Sequence, residues 1–280
     1  MIVANQTVCC GSASKCEGGF CQESAARVVK VVGGDSMKAF LLAGGLGERL
    51  RPLTDRVPKC LVPINGVPLL SIWIDLCNRS GIDSVLINVS RHGEQVEAFL
   101  ASEDLPIDVR IVQEKEPVGN AGTVLANRDF VRGEDNFFIL YSDNLTDVPL
   151  ARLLAFHRAH GGVFSMGLFH TPMPTSSGIV ELSPEGRIRN FQEKPARPLG
   201  DLANAGIYVS GQGVFDAIPH DRPIVDFGND VFPRLQGQLY GQLLDGYVRD
   251  IGTPQALAQG CRDWAARSTH GPSASLGASA

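Results

Sequence analysis

The sequence predicts an α/β fold, with a mostly parallel mixed sheet and helices packed on both of its faces. First, short apolar runs alternate with amphipathic segments through the first half of the chain, which is typical of sheets built from strand–helix–strand units. Second, the run from Ala39 to Leu42 is apolar throughout, as in a strand that is buried on both faces. Third, a glycine-rich turn follows that run directly, at the strand end where such sheets bind ligands.

The individual elements follow from apolar spacing and turn residues. In the first half, strands are predicted at Ala39–Leu42, Ser84–Val89, Val109–Val112 and Asn136–Tyr141. Apolar residues at helical spacing predict helices at Leu69–Arg79 and His92–Leu100, with a third helix beginning at Gly122. In the second half, strands are predicted at Val163–His170, Gly178–Leu182 and Ala205–Val209, with a hairpin turn at Pro184–Gly186. The second half is therefore expected to add a β-rich elaboration to the same domain.

Composition limits the class of protein and its partners. The 280 residues are 44% hydrophobic and 20% charged, as in ordinary globular domains. The net charge is −5 and no basic run stands out, so nucleic acid is not expected as a partner. No apolar run approaches the ~18 residues of a membrane helix, and the N-terminus lacks a secretory pattern. A cytoplasmic protein without a membrane partner is expected, and a homo-oligomer is compatible with the sequence.

The two ends of the chain differ from its middle. Residues 1–36 are small and polar, and we expect them to form a poorly structured N-terminal extension, with Met37 as the natural first residue. Four of the seven cysteines fall in that segment, at a spacing that matches no common zinc pattern, so reduced thiols are expected. Residues 37–265 are the expected folded domain. Residues 266–280, rich in Ser, Ala and Gly, are expected to form a flexible tail.

The glycine turn itself points to a phosphate ligand. Gly44, Gly45 and Gly47 fall within four positions, Arg49 follows at once, and Lys59 comes shortly after. Glycines let backbone N–H groups approach a ligand closely, and Arg and Lys favour phosphate. The turn lacks the Lys-Ser/Thr pair of a P-loop and the third glycine of a dinucleotide fingerprint. A nucleoside triphosphate site is one interpretation, and an ordinary tight strand-to-helix loop is the other.

Longer motifs resemble a known family. The stretch LLAGGLGERLRPLTDRVPKCLVPINGVPLL resembles the glycine-rich signature and Pro-Lys pair of the sugar-1-phosphate nucleotidyltransferases, or NDP-sugar pyrophosphorylases. Further motifs resemble that family in the family's order: EPVGNAGTVL from Glu116, YSDN from Tyr141, FQEKP from Phe191, NAGIYV from Asn204 and RDIGTP from Arg249. The resemblance covers residues 37–264. It implies a Rossmann-like nucleotidyltransferase fold whose β-rich elaboration binds the sugar.

The resemblance also implies a reaction. Such an enzyme transfers a nucleoside monophosphate from an NTP to a sugar-1-phosphate, and it releases pyrophosphate. Within the family the resemblance is strongest to guanylyltransferases acting on mannose-1-phosphate or manno-heptose-1-phosphate, which implies GTP. The alternatives are UTP or dTTP with glucose-1-phosphate or another hexose-1-phosphate. A non-catalytic homologue that binds sugar nucleotides and regulates a partner is an alternative of another class.

Site residues are carried over from the matching motifs. The resemblance implies three catalytic cations: Arg49, Lys59 and Lys194. It implies a nucleotide-binding set: Leu42, Ala43, Gly44, Gly45, Gly47, Glu116, Gly119 and Gly122. It implies a sugar-phosphate set: Glu193, Lys194, Asn204 and Gly206. Asp143 and Asp250 are implied ligands of Mg²⁺, although Asp143 could instead cap a helix after its strand and Asp250 could cap the turn that follows it.

Overall fold

The structure is a computed structural model that describes residues 37–268, which belong to one compact unit. The predictions for residues 1–36 and 269–280 lie outside the described residues. The last helix continues to Ser268, so the predicted end of the domain at residue 265 falls inside that helix. None of the helices in this part of the chain combines the length and the apolar character that crossing a membrane requires.

The described residues form thirteen strands and six α-helices. The strands are β1 (Lys38–Leu42), β2 (Pro63–Ile64), β3 (Val67–Pro68), β4 (Ser84–Val89), β5 (Asp108–Gln113), β6 (Phe137–Tyr141), β7 (Asn144–Thr146), β8 (Phe164–His170), β9 (Gly178–Leu182), β10 (Ile188–Glu193), β11 (Leu202–Ser210), β12 (Leu239–Leu243) and β13 (Val248–Asp250). The helices are α1 (Leu69–Arg79), α2 (Gly93–Ser102), α3 (Asn120–Ala126), α4 (Leu150–His160), α5 (Val214–Ala217) and α6 (Pro254–Ser268).

The predicted mixed sheet is confirmed. Among the described residues it has nine strands, and its main path runs β10-β9-β11-β6-β1-β4-β5. The four strands β6, β1, β4 and β5 are parallel, and β11 joins them antiparallel to β6. At the end of β1, Leu42 lies opposite Asn88 of β4 and Tyr141 of β6. The carboxyl ends of these three strands therefore meet at one edge of the sheet, where ligands bind in such folds.

The core consists of two apolar clusters divided by β1. Ala39 and Leu41 belong to one cluster, which includes Trp73 of α1. Phe40 and Leu42 belong to the other. Because successive side chains of a strand point to opposite faces, an uninterrupted apolar strand is covered on both sides. Each large side chain buried in this way contributes about 1.5–3 kcal/mol to folding, and this burial fixes the strand end that carries the glycine turn.

Strand β11 bends where it changes partners. Its register against β8 shifts between Asn204 and Tyr208, and Gly206 within the bend has φ +67°. A Cβ on Gly206 would lie 2.9 Å from Cδ2 of Tyr141, so only glycine allows both the backbone angle and this approach. Before the bend Ala203 pairs with β9, and after it the strand pairs with β6. The bend thus brings β11 against the last residue of β6.

Candidate active site

A cleft of about 650 Å³ opens at the edge where β1, β4 and β6 end. Nine of the residues expected from the sequence line it: Leu42, Ala43, Gly44, Gly45, Gly47, Arg49, Lys59, Gly119 and Asp143. Residues that the sequence did not single out complete the wall: Leu46, Glu48, Cys60, Asn88, Glu114, Pro117, Asn120, Thr123, Tyr141, Ser142 and Gly252. The volume falls within the range of small-molecule sites.

Two of the turn glycines are required by their surroundings. A Cβ on Gly44 would lie 2.5 Å from Nδ2 of Asn88. Gly47 has φ +64°, and its Cβ would lie 2.9 Å from Cγ2 of Thr54, whose hydroxyl donates a hydrogen bond of 2.7 Å to the carbonyl of Gly47. A Cβ on Gly45 meets nothing within 4 Å. The turn is thus packed closely against the protein at two of its three glycines while it lines the cleft.

Four charged side chains meet beside this turn. Nζ of Lys59 lies 3.1 Å from Oδ2 of Asp143 and 3.4 Å from Oδ1 of Asp250. Nη2 of Arg49 lies 3.2 Å from Oδ2 of Asp250. Lys59 is 8% exposed, whereas the two carboxylates are 47% and 49% exposed. The structure therefore brings two cations from one stretch of the sequence together with two carboxylates from distant stretches. Lys59 is buried beneath the two accessible carboxylates, and Arg49 is exposed.

A two-stranded antiparallel ribbon places the two carboxylates side by side. It consists of β7 and β13, in which Asp250 lies opposite Asn144, the residue after Asp143. The Gly252 N–H donates a hydrogen bond of 2.7 Å to Oδ1 of Asp250. Burial alone would raise the pKa of Asp250, but the neighbouring Lys59 and Arg49 and the Gly252 N–H outweigh it and lower that pKa below its usual value. Asp250 is therefore a carboxylate at neutral pH.

The donor set fits a hard divalent cation. Two carboxylates that already share one ammonium can also face one metal ion, and both are accessible from solvent. Within residues 37–268 no group of three or more His, Cys, Asp or Glu side chains could hold a metal by itself. A cation here would complete its shell with water or substrate oxygens. That pattern is typical of Mg²⁺, which is commonly bound through one or two carboxylates and substrate phosphates.

Another part of the cleft wall is a chain of polar side chains that sequence reasoning missed. Oδ1 of Asn88 accepts a hydrogen bond of 2.8 Å from the Ala43 N–H, and its Nδ2 donates one of 3.3 Å to Oγ1 of Thr123. That hydroxyl donates a bond of 2.5 Å to Oε1 of Glu114. The available signal was the buried amide of Asn88 inside an otherwise apolar strand end, since buried polar groups are rarely left without partners.

The expected sugar-phosphate residues lie beyond the residues that line the cleft. A Cβ on Gly178 or Gly228 would lie 3.0 Å or 2.9 Å from Oε2 of Glu193, so these two glycines make room for that carboxylate. Nζ of Lys194 lies 3.2 Å from Oε1 of Glu193 and is 66% exposed. Gly228 also borders Asp226, which accepts a hydrogen bond from Asn120 of the cleft wall. Glu193 therefore lies beside Gly228, next to the part of the cleft wall that Asn120 forms.

Asn204 and Gly206 support the wall from behind. Nδ2 of Asn204 donates a hydrogen bond of 2.7 Å to the Tyr208 hydroxyl, and its Oδ1 accepts one of 2.9 Å from the Gly206 N–H. Gly206 packs against the ring of Tyr141, and Tyr141 lines the cleft. Both functional groups of the Asn204 amide are therefore engaged inside the protein.

The nucleotide-binding residues expected between Glu116 and Gly122 separate in space. Gly119 lines the cleft, has φ +80°, and would place a Cβ 2.2 Å from the Val225 carbonyl oxygen. Glu116 is exposed and is not among the lining residues. Gly122 also lies outside the lining, and its N–H donates a hydrogen bond of 3.2 Å to the Val225 carbonyl. The motif thus contributes one of its three expected residues to the cleft surface.

Comparisons with known proteins agree with this geometry. Residues 38–267 match the family model described as nucleotidyl transferase. Mannose-1-phosphate guanylyltransferase 1 of Arabidopsis thaliana is 36% identical over 235 residues, which are 81% of this chain and 64% of that protein. The mannose-1-phosphate guanylyltransferase catalytic subunit beta of Xenopus tropicalis is 34% identical over 230 residues, 80% of this chain and 63% of that protein. The chain thus spans less than two thirds of the length of these relatives.

A solved structure shares the fold. A proposed glucose-1-phosphate thymidylyltransferase from Bacillus anthracis, crystallised with a sucrose, superimposes with a TM-score of 0.74 at 24% identity. The match covers 81% of this chain and 94% of that one. At this identity the likeness shows the fold alone. With the family model matched across the described domain, the prediction from the motifs is confirmed, and the chain belongs to the nucleotidyl transferase family.

Proposed function

We propose that this chain transfers a nucleoside monophosphate from a nucleoside triphosphate to a sugar-1-phosphate and releases pyrophosphate. One observation carries the proposal: Lys59 lies between Asp143 and Asp250 at the mouth of a cleft that begins at a glycine turn. The names of the relatives support the same reaction class, because they are sugar-1-phosphate guanylyltransferases.

The chemistry requires two anions to meet. An oxygen of the sugar phosphate attacks the α-phosphorus of the triphosphate, a new P–O bond forms, and the bond to the β-phosphate breaks as pyrophosphate leaves. Such transfers depend on positioning and on neutralising negative charge rather than on covalent help from the protein. Arg49 and Lys59 supply positive charge beside the glycine turn. Backbone N–H groups of the turn would add donors for the phosphates.

We propose Asp143 and Asp250 as the residues that would hold Mg²⁺. When bound, the ion would neutralise phosphate charge and polarise the phosphorus–oxygen bonds. The task of the two carboxylates is to hold the cation at the mouth of the cleft, and their exposure of about one half leaves them open to it. The task of Lys59 is to offset their charge from beneath.

For the sugar phosphate we propose Lys194 and Glu193. The Lys194 ammonium is exposed and, among the described residues, pairs with the neighbouring Glu193, so it can turn toward a phosphate. The Glu193 carboxylate lies in a space kept open by Gly178 and Gly228. A carboxylate accepts hydrogen bonds from sugar hydroxyls. Asn204 would act from behind, by holding Tyr208 and Gly206.

For the base and the sugar we propose GTP and mannose-1-phosphate. The names of the two relatives given above contain mannose-1-phosphate. The cleft wall also supports guanine, because Glu114 presents a carboxylate there. Guanine carries two neighbouring donors, N1–H and N2–H, which one carboxylate can accept together. Uracil and thymine offer a single N3–H, so they would gain less from Glu114.

The experiment is a matrix of the four nucleoside triphosphates against mannose-, heptose- and glucose-1-phosphate, with and without Mg²⁺. Pyrophosphate release should be largest with GTP and mannose-1-phosphate and should require the ion. The Asp143→Asn variant is the matched control for contaminating activity, because it changes one side-chain atom at the cleft mouth. Absence of release with every pair would refute the proposal and favour a regulatory, sugar-nucleotide-binding protein.

A further inference from the structure

The ribbon that carries the two carboxylates has little support of its own. Within residues 37–268, β7 and β13 pair only with each other, with three residue pairs. An isolated two-stranded ribbon is marginally stable at best in water. Asp143 immediately precedes β7, and Asp250 is the last residue of β13. The separation of these carboxylates therefore depends on whatever holds the ribbon in place.

On one side, polar contacts join helix α6 to β13 and to Tyr247, the residue just before β13. The Tyr247 hydroxyl donates a hydrogen bond of 2.8 Å to Oδ2 of Asp263, which lies on α6. Nε of Arg249 donates one of 2.7 Å to the same Tyr247 oxygen. Nη2 of Arg249 lies 3.1 Å from Oδ2 of Asp263. Tyr247, Arg249 and Asp263 thus contact one another in a closed ring of three interactions. We call these three residues the α6 clamp, because they join the ribbon to the helix.

The clamp is itself held from two directions. Nε2 of Gln259 donates a hydrogen bond of 2.6 Å to Oδ1 of Asp263, so both carboxylate oxygens of Asp263 are engaged. The Tyr247 N–H donates one of 2.8 Å to Oδ1 of Asp147, just past the end of β7. Oδ2 of Asp147 pairs with Arg267 of α6 at 2.6 Å. The helix therefore contacts the ribbon through residues next to both of its strands.

The clamp also holds the Arg249 guanidinium on one side of the ribbon. This guanidinium stands one residue before Asp250, yet it pairs with Asp263 and lies over the Tyr247 ring at 5.8 Å from the centroid. Neighbouring residues of a strand point to opposite faces. Arg249 is thus held on the helix side, and Asp250 is left to face Lys59 and the cleft.

We propose that Asp263 is a positioning residue, which acts through Tyr247 and Arg249 to hold β13 in register with β7 and so sets the distance between Asp143 and Asp250. The role of those two carboxylates in holding a cation rests on the proposed function. The proposal that Asp263 holds β13 in register with β7 does not rest on that function.

The test uses the full chain with Asp263→Asn and Tyr247→Phe. Asp129→Asn is the matched control, because it removes one acid from an exposed pair with Arg132 elsewhere in the molecule.

Hydrogen exchange should quicken in residues 144–146 and 248–250 of both clamp variants, and should stay unchanged in β1, β4 and β6. The dissociation constant of Mn²⁺, measured by electron paramagnetic resonance in the presence of GTP alone, should rise about 10- to 100-fold, as for outer-shell partners in metal sites. The control should match the wild type.

Three results would overturn the proposal. One is ribbon exchange that stays at the wild-type rate in both variants. The second is exchange that quickens equally through the whole sheet. The third, for a wild type that binds Mn²⁺, is ribbon exchange that quickens without any change in Mn²⁺ affinity. A wild-type chain that binds no Mn²⁺ and releases no pyrophosphate would instead refute the proposed function. In that case selective loosening of the ribbon would still support the clamp.

Discussion

Nζ of Lys59 lies 3.1 Å from Oδ2 of Asp143 while only 8% of the Lys59 side chain is exposed. The same ammonium reaches Oδ1 of Asp250 at 3.4 Å. A buried charge is tolerated when it is paired, and removing its partners is costly. Lys59 therefore neutralises the two carboxylates before any cation or phosphate arrives, and a metal ion at this position must share its ligands with that ammonium.

Replacing Lys59 with methionine should separate these two roles. Lys59→Met keeps an unbranched side chain in the buried space but leaves the two carboxylates without their shared cation. We expect Mn²⁺ to bind more tightly in the absence of nucleotide, while turnover falls at least about 100-fold because a positive charge at the reacting phosphates is lost. Titration by electron paramagnetic resonance and pyrophosphate release measure the two effects. Lys115→Met, at an exposed position, is the control, and unchanged Mn²⁺ binding in Lys59→Met would contradict the expectation.

The two carboxylates should be needed for turnover and dispensable for folding. Asp143→Asn and Asp250→Asn each leave Lys59 with the other partner, and both positions are about half exposed. We expect each variant to lose at least about 100-fold in turnover, since metal ions contribute several kcal/mol to such reactions. The fold should be retained, with only a modest fall in the midpoint of thermal unfolding, because Lys59 keeps one of its two partners. Asp75→Asn, in an exposed pair with Arg79, is the control. Activity near that of the wild type in either variant would rule out its metal role.

Glu114 should decide between bases. Glu114→Gln keeps the shape of the side chain and an acceptor for the Thr123 hydroxyl, but it places a donor where guanine also presents donors. The preference for GTP over UTP, measured as a ratio of kcat/KM values, should fall by about tenfold or more, since a bidentate contact discriminates by about 1–3 kcal/mol. Glu103→Gln is the control, because Glu103 is exposed and lies outside the cleft lining. An unchanged ratio in Glu114→Gln would exclude this role.

Lys194 should act on the sugar phosphate alone. Its φ of +44° lies in a region that is strained for alanine and lysine alike, so Lys194→Ala removes the charge without a new backbone cost. The KM for the sugar-1-phosphate should rise about tenfold or more, because hydrogen bonds to charged groups contribute about 1.5–3 kcal/mol. The KM for the nucleotide should change little. Arg197→Ala serves as the exposed control, and equal rises in both KM values would contradict the assignment.

The sequence could predict those parts of the site where chemistry and chain order coincide. The glycine turn follows an apolar strand directly, and Arg49 and Lys59 stand a few residues beyond it, so one continuous stretch carries both backbone shape and charge. Asp143 could be placed because it follows β6, a neighbour of β1. Strand ends of one parallel sheet meet at one edge, and that rule needs no coordinates.

The remaining parts of the site depend on pairings that leave no local pattern. Asn88 and Glu114 belong to neighbouring strand ends, and the hydroxyl of Thr123 on α3 bonds to both side chains. The β7–β13 ribbon has three residues in each strand, which is too short to show an alternation of apolar and polar residues. Its position is set by long-range contacts such as the hydrogen bond of 2.9 Å from Trp73 to the Asn144 carbonyl.

An imidazole pair made of the buried His157 and the partly exposed His160 should make the fold sensitive to mild acid. His157 is 4% exposed, and its Nδ1 lies 2.9 Å from Oγ of Ser165, which lies 2.7 Å from Nε2 of His160. Burial, with smaller contributions from His160 and Arg158, lowers the pKa of His157 from 6.5 to about 4. The Gly162 N–H donates to Nδ1 of His160 at 2.8 Å, so His160 accepts there as a neutral ring. The lowered pKa of His157 keeps that ring neutral as well.

The sign of the pH effect follows from proton binding. Between pH 6.5 and about 4 the unfolded chain binds a proton at His157 and the folded chain does not, so the free energy of unfolding falls as pH falls through that window. The slope should be at most about 1.4 kcal/mol per pH unit from this group. The pKa values of Asp250 and Asp263 are lowered from the ordinary value of 3.8, so the stability that these two groups contribute is lost below this window.

Urea unfolding at pH 7, 6, 5 and 4.5 measures the slope. His157→Gln should lower stability at pH 7 but flatten the slope, and a variant that keeps the wild-type slope would show that another group carries the acid sensitivity.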